Sequence, residues 1–384
     1  MVSTDYPVID AMWLKYGATS GTYPDLDRFN RITSSRWTKD LATDRDFYDV
    51  DITCDRSSNI TWVEDNVHGG FDVKYTIDDL DRLTQAEEGT KSGSSIASRS
   101  RDQQWTLDQL GNWDVVKLDL DGDNNFSETG EFNDDRTYNV VNELTARDTD
   151  DDGSDDYTLT FDAVGNLTDD GEHYEYEYDA FGRLRQVKDT DDQSLVAEYT
   201  YNGLGYRIGW HYDVDVDGDV DGSDSWFRFV YDARWRIVGT YRASDSDPKE
   251  LFVYHAPGDG GLGGYMDDVI LREKDANSGW NSAADGTLEE RLYYFQNWRH
   301  DVVALLDSSG GQVEQDRYSS NGDYNGLPAG DMDNDGDVDP NDLTVFDGLG
   351  AYDVRGDLDL DGDNDNDDRP NDHERRVLQR ELDQ

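Results

Sequence analysis

A short phrase that recurs along the chain constrains its fold more than any other feature. It consists of an aromatic or apolar residue, Asp or Asn, two variable residues, usually Gly or Asn, a polar or basic residue and an aliphatic one. Tyr178–Leu184 is the clearest copy. Nine copies occur, with the Asp or Asn at positions 27, 55, 78, 108, 139, 162, 179, 202 and 232. Such repetition indicates an array of one supersecondary unit and not a domain built around one active site.

The phrase predicts a β-hairpin turn. Asp or Asn caps a type I turn with its side chain, and a left-handed residue three positions later closes the turn. Flanking residues alternate in polarity, as in Tyr174–Tyr178, so each unit is predicted to be strand, turn and strand. Chance turns in an Asp- and Gly-rich β protein are the alternative, and nine matches disfavour it. The closing position is Gly111, Gly165, Gly182 and Gly205 in four copies, Asn30 and Asn142 in two, the poorer Ser58 and Asp81 in two, and Trp235, which departs from the pattern, in the last.

These phrases resemble the repeats of the RHS/YD-repeat family of large bacterial surface or secreted proteins. The closest copies are residues 178–184 and 201–208. Residues 264–272, 291–296, 302–307 and 310–318 resemble the segment that leads into the core of that family. The resemblance covers roughly residues 23–324 and implies an array of YD-repeat hairpins wound into a spiralling sheet or partial shell. In the family, such a shell can enclose a toxic C-terminal domain.

The chain departs from this family near its end. Tyr318–Asp323 lacks the Asp and Arg of the family's closing phrase, and no self-cleavage motif follows it. The N-terminal ten residues have neither a basic nor an apolar segment, so no signal peptide is expected in this chain. The resemblance nevertheless implies an extracellular or cell-surface location. We therefore expect a fragment or truncated product that lacks a toxic cargo.

Charge excludes several classes of partner. The chain has 88 acidic and 34 basic residues among 384, a formal charge of −54. Nucleic acid is excluded because phosphate binding needs a basic surface, and anionic membranes are excluded for the same reason. No apolar run is long enough to span a membrane. The single Cys54 cannot form an internal disulfide. An unknown protein or carbohydrate remains as the expected partner.

Three Asp-rich loops have the spacing of EF-hand-type Ca²⁺ loops. Alternate oxygen ligands converge on the ion, and Gly at the sixth position permits a sharp turn. Asp at position twelve resembles dockerin-type loops. The sequence therefore predicts about three Ca²⁺ sites. The predicted metal-binding residues are Asp213, Asp215, Asp217, Asp219, Asp221 and Asp224 in the first loop; Asp331, Asp333, Asp335, Asp337, Asp339 and Asp342 in the second; and Asp357, Asp359, Asp361, Asp363, Asp365 and Asp368 in the third.

Two further acidic loops match the spacing in part. Asp148, Asp150, Asp152 and Gly153 begin a loop in which Leu159 takes position twelve. Residues 119–131 begin with Asp at three alternate positions but have no Gly at the sixth, although Glu128 or Glu131 could close a looser site. The sequence leaves open whether these loops bind metal.

The motifs divide the chain into four segments. Residues 1–22 are irregular, 23–245 form the hairpin array with the 213–224 loop inserted, and 246–327 form a further β segment. Residues 328–384 form a small dockerin-like α module, in which each Ca²⁺ loop precedes a helix, at 340–349 and 371–382. The predicted fold class is thus mainly β.

The sequence shows no catalytic motif, and we expect no enzymatic activity. The expected role is that of a Ca²⁺-stabilised structural, adhesive or partner-binding protein. The alternatives are a remnant of a toxin-delivery shell that lacks its toxin and a dockerin-like docking protein. A carbohydrate-active enzyme is the least favoured, because no pair of carboxylates stands out among the 88 acids.

Overall fold

The structure is a computed structural model that describes residues 5–6, 12–16, 26–39, 45–128, 130–214, 220–254, 269–320 and 324–328. These residues form strands, turns and loops, and none of them is helical. The predicted mainly-β fold class is confirmed. The helices predicted at 340–349 and 371–382 lie outside the described residues.

The described chain forms two antiparallel sheets in which each strand pairs with its neighbours in sequence. The first sheet consists of β1 (Asp5–Tyr6), β2 (Met12–Tyr16), β3 (Ser34–Lys39), β4 (Arg45–Cys54), β5 (Ile60–Asp65), β6 (Asp72–Ile77), β7 (Leu83–Ser92), β8 (Ser95–Leu107), β9 (Trp113–Asp119), β10 (Phe132–Tyr138), β11 (Leu144–Asp148) and β12 (Tyr157–Thr158).

A single residue, Leu159, separates the end of the first sheet from the start of the second. It consists of β13 (Thr160–Phe161), β14 (Leu167–Asp169), β15 (Tyr174–Tyr178), β16 (Leu184–Asp189), β17 (Leu195–Tyr201), β18 (Arg207–Tyr212), β19 (Phe227–Tyr231), β20 (Ile237–Arg242), β21 (Glu250–Tyr254), β22 (Val269–Lys274), β23 (Glu290–Gln296), β24 (Val302–Leu306), β25 (Gln312–Tyr318) and β26 (Tyr324–Pro328). Because β12 and β13 are separated only by Leu159, one ladder of hairpins continues through both sheets.

All nine predicted turns adopt the expected geometry. In each, the amide of the fourth residue donates to the carbonyl of the first, and the amide of the first donates to the carbonyl of the fifth. The closing residue has a positive φ in every copy, including Trp235 at 65°. Residues 297–301 and 307–311, which are not among the nine predicted turns, form the same turn. The turn prediction is therefore confirmed, and Trp235 has the predicted backbone geometry although its residue type departs from the pattern.

The Asp or Asn side chain organises each turn, as Asp179 shows. Its Oδ1 accepts hydrogen bonds from the amides of Phe181, at 2.8 Å, and Arg183, at 3.2 Å. Its Oδ2 accepts a hydrogen bond from Arg183 Nε at 2.7 Å. This side-chain bond, with the amide bonds, lowers the pKa of Asp179. The turn therefore favours the ionised form of the Asp179 carboxylate.

The fifth residue also ties its turn to the next turn in the ladder. In three copies an Arg Nη1 atom donates to the carbonyl of the residue that begins the following turn. The pairs are Arg31 with Asp55 at 2.7 Å, Arg82 with Asp108 at 2.8 Å, and Arg183 with Asn202 at 3.1 Å. Neighbouring turns therefore lie side by side in a row.

Tyrosines at the ends of three strands bridge neighbouring hairpins. Their hydroxyls donate to a carbonyl at the start of the outgoing strand of the preceding hairpin. The pairs are Tyr201 with Leu184 at 2.6 Å, Tyr231 with Arg207 at 2.5 Å, and Tyr254 with Ile237 at 2.7 Å. Tyr201 and Tyr231, which begin two of the phrases, thus contribute a hydroxyl hydrogen bond as well as an apolar ring.

Trp235 occupies its left-handed position because of the turn beside it. Elsewhere the fifth residue of one turn contacts the closing residue of the next, as Asn112 does with Asn142 through two hydrogen bonds of 2.6 and 2.9 Å. At the equivalent place, Tyr206 stacks on Trp235 with ring centroids 4.2 Å apart and planes 2° apart. Aromatic stacking therefore replaces the amide pair, and it offsets the backbone strain of a bulky residue at positive φ.

Because consecutive strands are antiparallel, successive connections lie alternately at the two opposite ends of the strands. The side of the ladder where the strand ends carry the nine predicted turns and 297–301 is here called the tip edge. The other, here called the loop edge, carries the connections between those hairpins, including 119–131, 148–157 and 213–226. The acidic loops singled out in the described part of the chain therefore all lie opposite the nine predicted turns.

The ladder folds back on itself, and its early strands pack against its late ones. Trp37 and Phe47, on β3 and β4, contact Phe295 on β23 edge to face, with centroids 4.9 and 5.4 Å away. All three rings are buried. Trp37 Nε1 donates to the carbonyl of Gln296 at 2.9 Å. This seam joins residues about 260 positions apart in the sequence, and it contributes the largest apolar cluster of the described core.

Charged residues extend the seam. Arg317 on β25 lies 3.3 Å from the Asp65 carboxylate and over the ring of Phe71. Gln315 and His68 are 3.2 Å apart. The seam thus places the β5–β6 connection, which lies on the loop edge, against β25.

Candidate metal sites

The first acidic cluster lies where β9 ends at the loop edge. Asp119 is fully buried, and Asp121 and Asp123 are exposed. One carboxylate oxygen from each of the three lies within 4.8 Å of the others. Two oxygens bound to one Ca²⁺ ion are at most about 5 Å apart, because Ca–O distances are 2.3–2.6 Å. The three carboxylates therefore converge closely enough to share one ion.

The backbone of this loop turns at the position where an EF-hand has glycine. Asn124 is the sixth residue counted from Asp119, and its φ is 71°. Its amide donates to Asp119 Oδ2 at 2.8 Å. Asn tolerates the left-handed conformation better than most residues. The missing Gly, which left this loop undecided from sequence, is therefore replaced by an Asn that adopts the required turn.

The loop is fixed to the sheet beneath it. Arg99 on β8 donates from Nε and Nη2 to the Gly122 carbonyl, at 3.2 and 3.1 Å, and from Nη1 to buried Asp102 at 3.0 Å. A Cβ on Gly122 would lie 2.2 Å from the Arg99 carbonyl oxygen. At the far end, Glu131 Oε1 accepts a hydrogen bond from the Leu120 amide at 2.8 Å. The carboxylate of Glu131 thus closes the loop from position thirteen.

The second cluster lies where β11 ends at the same edge. Asp148 is buried, Asp150 and Asp156 are exposed, and one oxygen of each lies within 4.8 Å of the others. The Gly153 amide donates to Asp148 Oδ2 at 2.8 Å, and Gly153 has a φ of 87°. Asp156 Oδ2 accepts bonds from the amide and hydroxyl of Thr149 at 2.8 and 2.7 Å. Positions one, three and nine of the EF-hand-type frame are therefore brought together, and Leu159 at position twelve contributes no side-chain ligand.

Like charges are concentrated in this second loop. Partial desolvation by the surrounding loop and the neighbouring carboxylates of Asp152, Asp156 and Asp148 raise the pKa of Asp150, although a backbone bond from Asp152 opposes the shift. A divalent ion would relieve this repulsion. Both clusters offer only hard oxygen donors, which suit Ca²⁺ and not a soft transition metal. The residues therefore fit the predicted ion.

The predicted loop at 213–224 is described only at its two ends. Asp224, at position twelve, is buried, and its two oxygens accept hydrogen bonds from the amides of Val214, at 2.7 Å, and Asp221, at 3.0 Å. The Asp224 carboxylate thus joins the beginning and end of the loop. Asp213 and Asp221 are described as well, whereas Asp215, Asp217 and Asp219 lie outside the described residues. Its metal binding stays a prediction.

The other two predicted Ca²⁺ loops, with their ligands from Asp331 to Asp342 and from Asp357 to Asp368, also lie outside the described residues. The carboxylates that converge in the structure belong to the two partial loops, for which the sequence left metal binding undecided. The signal that could have decided the first of them was Asn at the sixth position. Among the described residues, no helix is long and apolar enough to cross a membrane.

Comparison with known proteins shows what this ladder is similar to. No family model matches the chain. The tRNA3(Ser)-specific nuclease WapA of Bacillus spizizenii is 24% identical over 233 residues, which are 59% of this chain and 8% of WapA. This chain therefore spans less than a tenth of that relative.

Solved structures with the same fold come from Tc toxins. The Photorhabdus luminescens Tc holotoxin pore, with a TccC3 mutation, aligns with 84% of this chain at a TM-score of 0.56 and 15% identity. The crystal structure of TcdB2-TccC3 aligns with 84% at the same TM-score and identity. This chain covers 15% and 16% of those chains, respectively. The β-hairpin ladder is thus an architecture known from toxin assemblies, and this chain spans a small part of them.

Proposed function

We propose that this chain is a Ca²⁺-stabilised structural section of an RHS-type surface or toxin-delivery protein. Ca²⁺ binding is proposed because three carboxylate oxygens converge at each of two loops on the loop edge, and the first carboxylate of each loop is buried. The fold shared with the Tc toxin structures supports the architectural part.

The proposed ligands are the side chains of Asp119, Asp121 and Asp123 at one site and of Asp148, Asp150 and Asp156 at the other. Bound Ca²⁺ would supply positive charge to loops that otherwise repel themselves, within a chain of charge −54. Since the ion binds the ordered loop and not the unfolded chain, its binding free energy adds to stability. Ca²⁺ would thus stiffen the loop edge, while capped turns and arginines hold the tip edge.

The predicted loops at 213–224, 331–342 and 357–368 would add further Ca²⁺ sites. The last two remain predicted as a dockerin-like pair, and docking through them is the second candidate role. Weak sites, with dissociation constants on the order of 10⁻⁴–10⁻³ M, would suit the Ca²⁺ levels met by extracellular modules. An extracellular or cell-surface location fits such sites.

We further propose that this section does not itself catalyse a reaction and that it presents a surface to a protein or carbohydrate partner. WapA is a tRNA-specific nuclease, so nuclease activity is the natural test. A chain of charge −54 repels the phosphate backbone. Incubation of the purified chain with tRNA should leave the RNA intact, with and without Ca²⁺ or Mg²⁺. Specific cleavage would refute the non-enzymatic role.

The metal proposal is tested by calorimetric titration of the full chain with Ca²⁺. In the variant Asp121→Asn/Asp123→Asn, two exposed ligands are lost, and the stoichiometry should fall by one site. The matched control is Asp191→Asn/Asp192→Asn, which removes two exposed acids from another connection of the loop edge.

The control should keep the stoichiometry of the parent chain. An equal number of sites in the parent and in the Asp121→Asn/Asp123→Asn variant would show that the first cluster binds no ion. The same reasoning applies to Asp150→Asn/Asp156→Asn at the second cluster.

A further inference from the structure

The turns of the tip edge carry a row of exposed apolar side chains. The third residue of each capped turn points away from the ladder, and in seven of the nine predicted turns it is Leu, Val or Phe. These side chains are 62–82% exposed. They form the tip row, defined as Phe29, Leu80, Leu110, Val141, Val164, Phe181 and Leu204. Ser57 and Arg234 occupy the same position in the other two turns.

Turn-to-turn contacts arrange this row in space. The Arg31, Arg82 and Arg183 bonds to following turns hold neighbouring tips side by side. Adjacent tips are therefore separated by two strand spacings, or about 9.5 Å. The six tips from Leu80 to Leu204 are consecutive and form one apolar strip along this edge, and Ser57 separates Phe29 from them. Contiguous exposed apolar surface of this kind marks an interaction site.

The charges of the two edges restrict how a second copy could approach. On the tip edge, Asp27, Asp78, Asp179 and Asp232 are each paired with the Arg four residues later in the same turn. The loop edge instead carries the convergent carboxylates of the two candidate metal sites. Two copies with a charge of −54 each repel one another, and they repel least when their tip edges face and their loop edges lie farthest apart.

The extent of the row also suits a second copy. Each exposed apolar side chain offers roughly 100 Å² of buriable surface. Seven of them, with the turn atoms around them, approach the roughly 800 Å² per partner of a standard protein interface. A symmetric dimer places the same strip on both sides, so each apolar tip meets an apolar surface.

We propose that two copies of this chain associate through their tip rows. The inference does not depend on Ca²⁺ binding, because the row and the candidate metal sites lie on opposite edges. Screening salt should strengthen the association, since it weakens the repulsion between the copies and leaves apolar contact intact.

Sedimentation velocity of the full chain tests this proposal. In about 1 M NaCl, where the Debye length is about 3 Å, the chain should show a reversible, concentration-dependent dimer. The variant Leu80→Ser/Leu110→Ser/Phe181→Ser should weaken dimerisation at least tenfold. These side chains are exposed, so folding should be retained, as circular dichroism would verify. The control Val230→Ser/Val253→Ser alters two strand residues that are 44% and 42% exposed and lie outside the row, and it should dimerise like the parent.

A monomer at every salt and protein concentration would overturn the proposal. Dimerisation that the control abolishes and the tip variant leaves intact would overturn it as well. Flotation with zwitterionic vesicles adds a third outcome, because membrane binding through the tips without self-association would assign the row to a lipid surface instead.

Discussion

Replacing Arg183 with alanine tests whether turn-to-turn bonds stabilise the ladder. The guanidinium donates to the Asn202 carbonyl at 3.1 Å, and it lies 4.9 Å from the centre of the Tyr201 ring. The hydrogen bond contributes about 1 kcal/mol and the cation–π contact about 0.5–1 kcal/mol. The ion pair with Asp179 is partly exposed and adds little. The expected loss in the free energy of unfolding is therefore about 1.5–2 kcal/mol.

Urea denaturation followed by circular dichroism, at fixed Ca²⁺ and neutral pH, measures this loss. The matched control is Arg185→Ala, because Arg185 is exposed on the outgoing strand of the same hairpin. Its loss should stay within about 0.5 kcal/mol. Equal losses in the two variants would refute the assigned role of the turn-to-turn bond.

The pH dependence gives a second readout of the same variant. The Arg183 side-chain bond is the largest cause that lowers the pKa of Asp179 in the folded chain. A lowered pKa stabilises the folded state above the unfolded pKa, and this stabilisation is lost as the pH falls through the folded pKa. The difference between Arg183→Ala and the parent should therefore shrink in strong acid only by the small contribution of the ion pair with Asp179. A difference that disappears in strong acid would contradict the assignment of most of the loss to the Asn202 bond and the Tyr201 ring.

Three further substitutions test other parts of the structure. Gly122→Ala should lower the Ca²⁺ stoichiometry by one in calorimetry, because its Cβ would lie 2.2 Å from the Arg99 carbonyl oxygen and its φ is +79°; an unchanged stoichiometry would contradict this account of the loop. Burial raises the pKa of Asp49 to about 6, so the folded state should lose stability as the pH rises from about 4 to 6, and Asp49→Asn should remove that slope from the unfolding free energy. Phe295→Ala should cost about 3–5 kcal/mol in urea denaturation, because it empties a fully buried site in the seam; a loss below about 1 kcal/mol would show that the seam contributes little.

Sequence reasoning predicted the turns because their causes are local. An Asp cap and a left-handed residue three positions later are both set within five residues, so all nine turns could be located from the chain alone. The same rule would have found 297–301, where His300 has a φ of 67°. Trp235 departs from the residue types expected at the closing position but has the same backbone geometry. The local rule does not predict a Trp there, because the ring of Tyr206 that stacks on Trp235 belongs to the neighbouring turn.

Longer-range features could not be predicted in this way. The seam between Trp37 and Phe295 joins residues more than 250 positions apart, and no periodicity in the sequence encodes that pairing. The spacing of aspartates predicted the type of metal loop, yet the convergence of the two partial loops depends on backbone turns at Asn124 and Gly153. The tip row was also missed, because its residues are variable positions of the phrase and become a strip only when the turns align.

Hydrogen–deuterium exchange with and without Ca²⁺ tests most directly whether the acidic loops of the loop edge hold metal and order the ladder. Saturating Ca²⁺ should slow exchange of the amides in residues 119–131 and 148–156, where the Asn124 and Gly153 amides already bond to the first carboxylate of each loop. The capped turn at 179–183 serves as the internal reference and should change little. Exchange in both loops that is indifferent to Ca²⁺ would contradict the account, and the carboxylate clusters would then have no part in stabilising this fold.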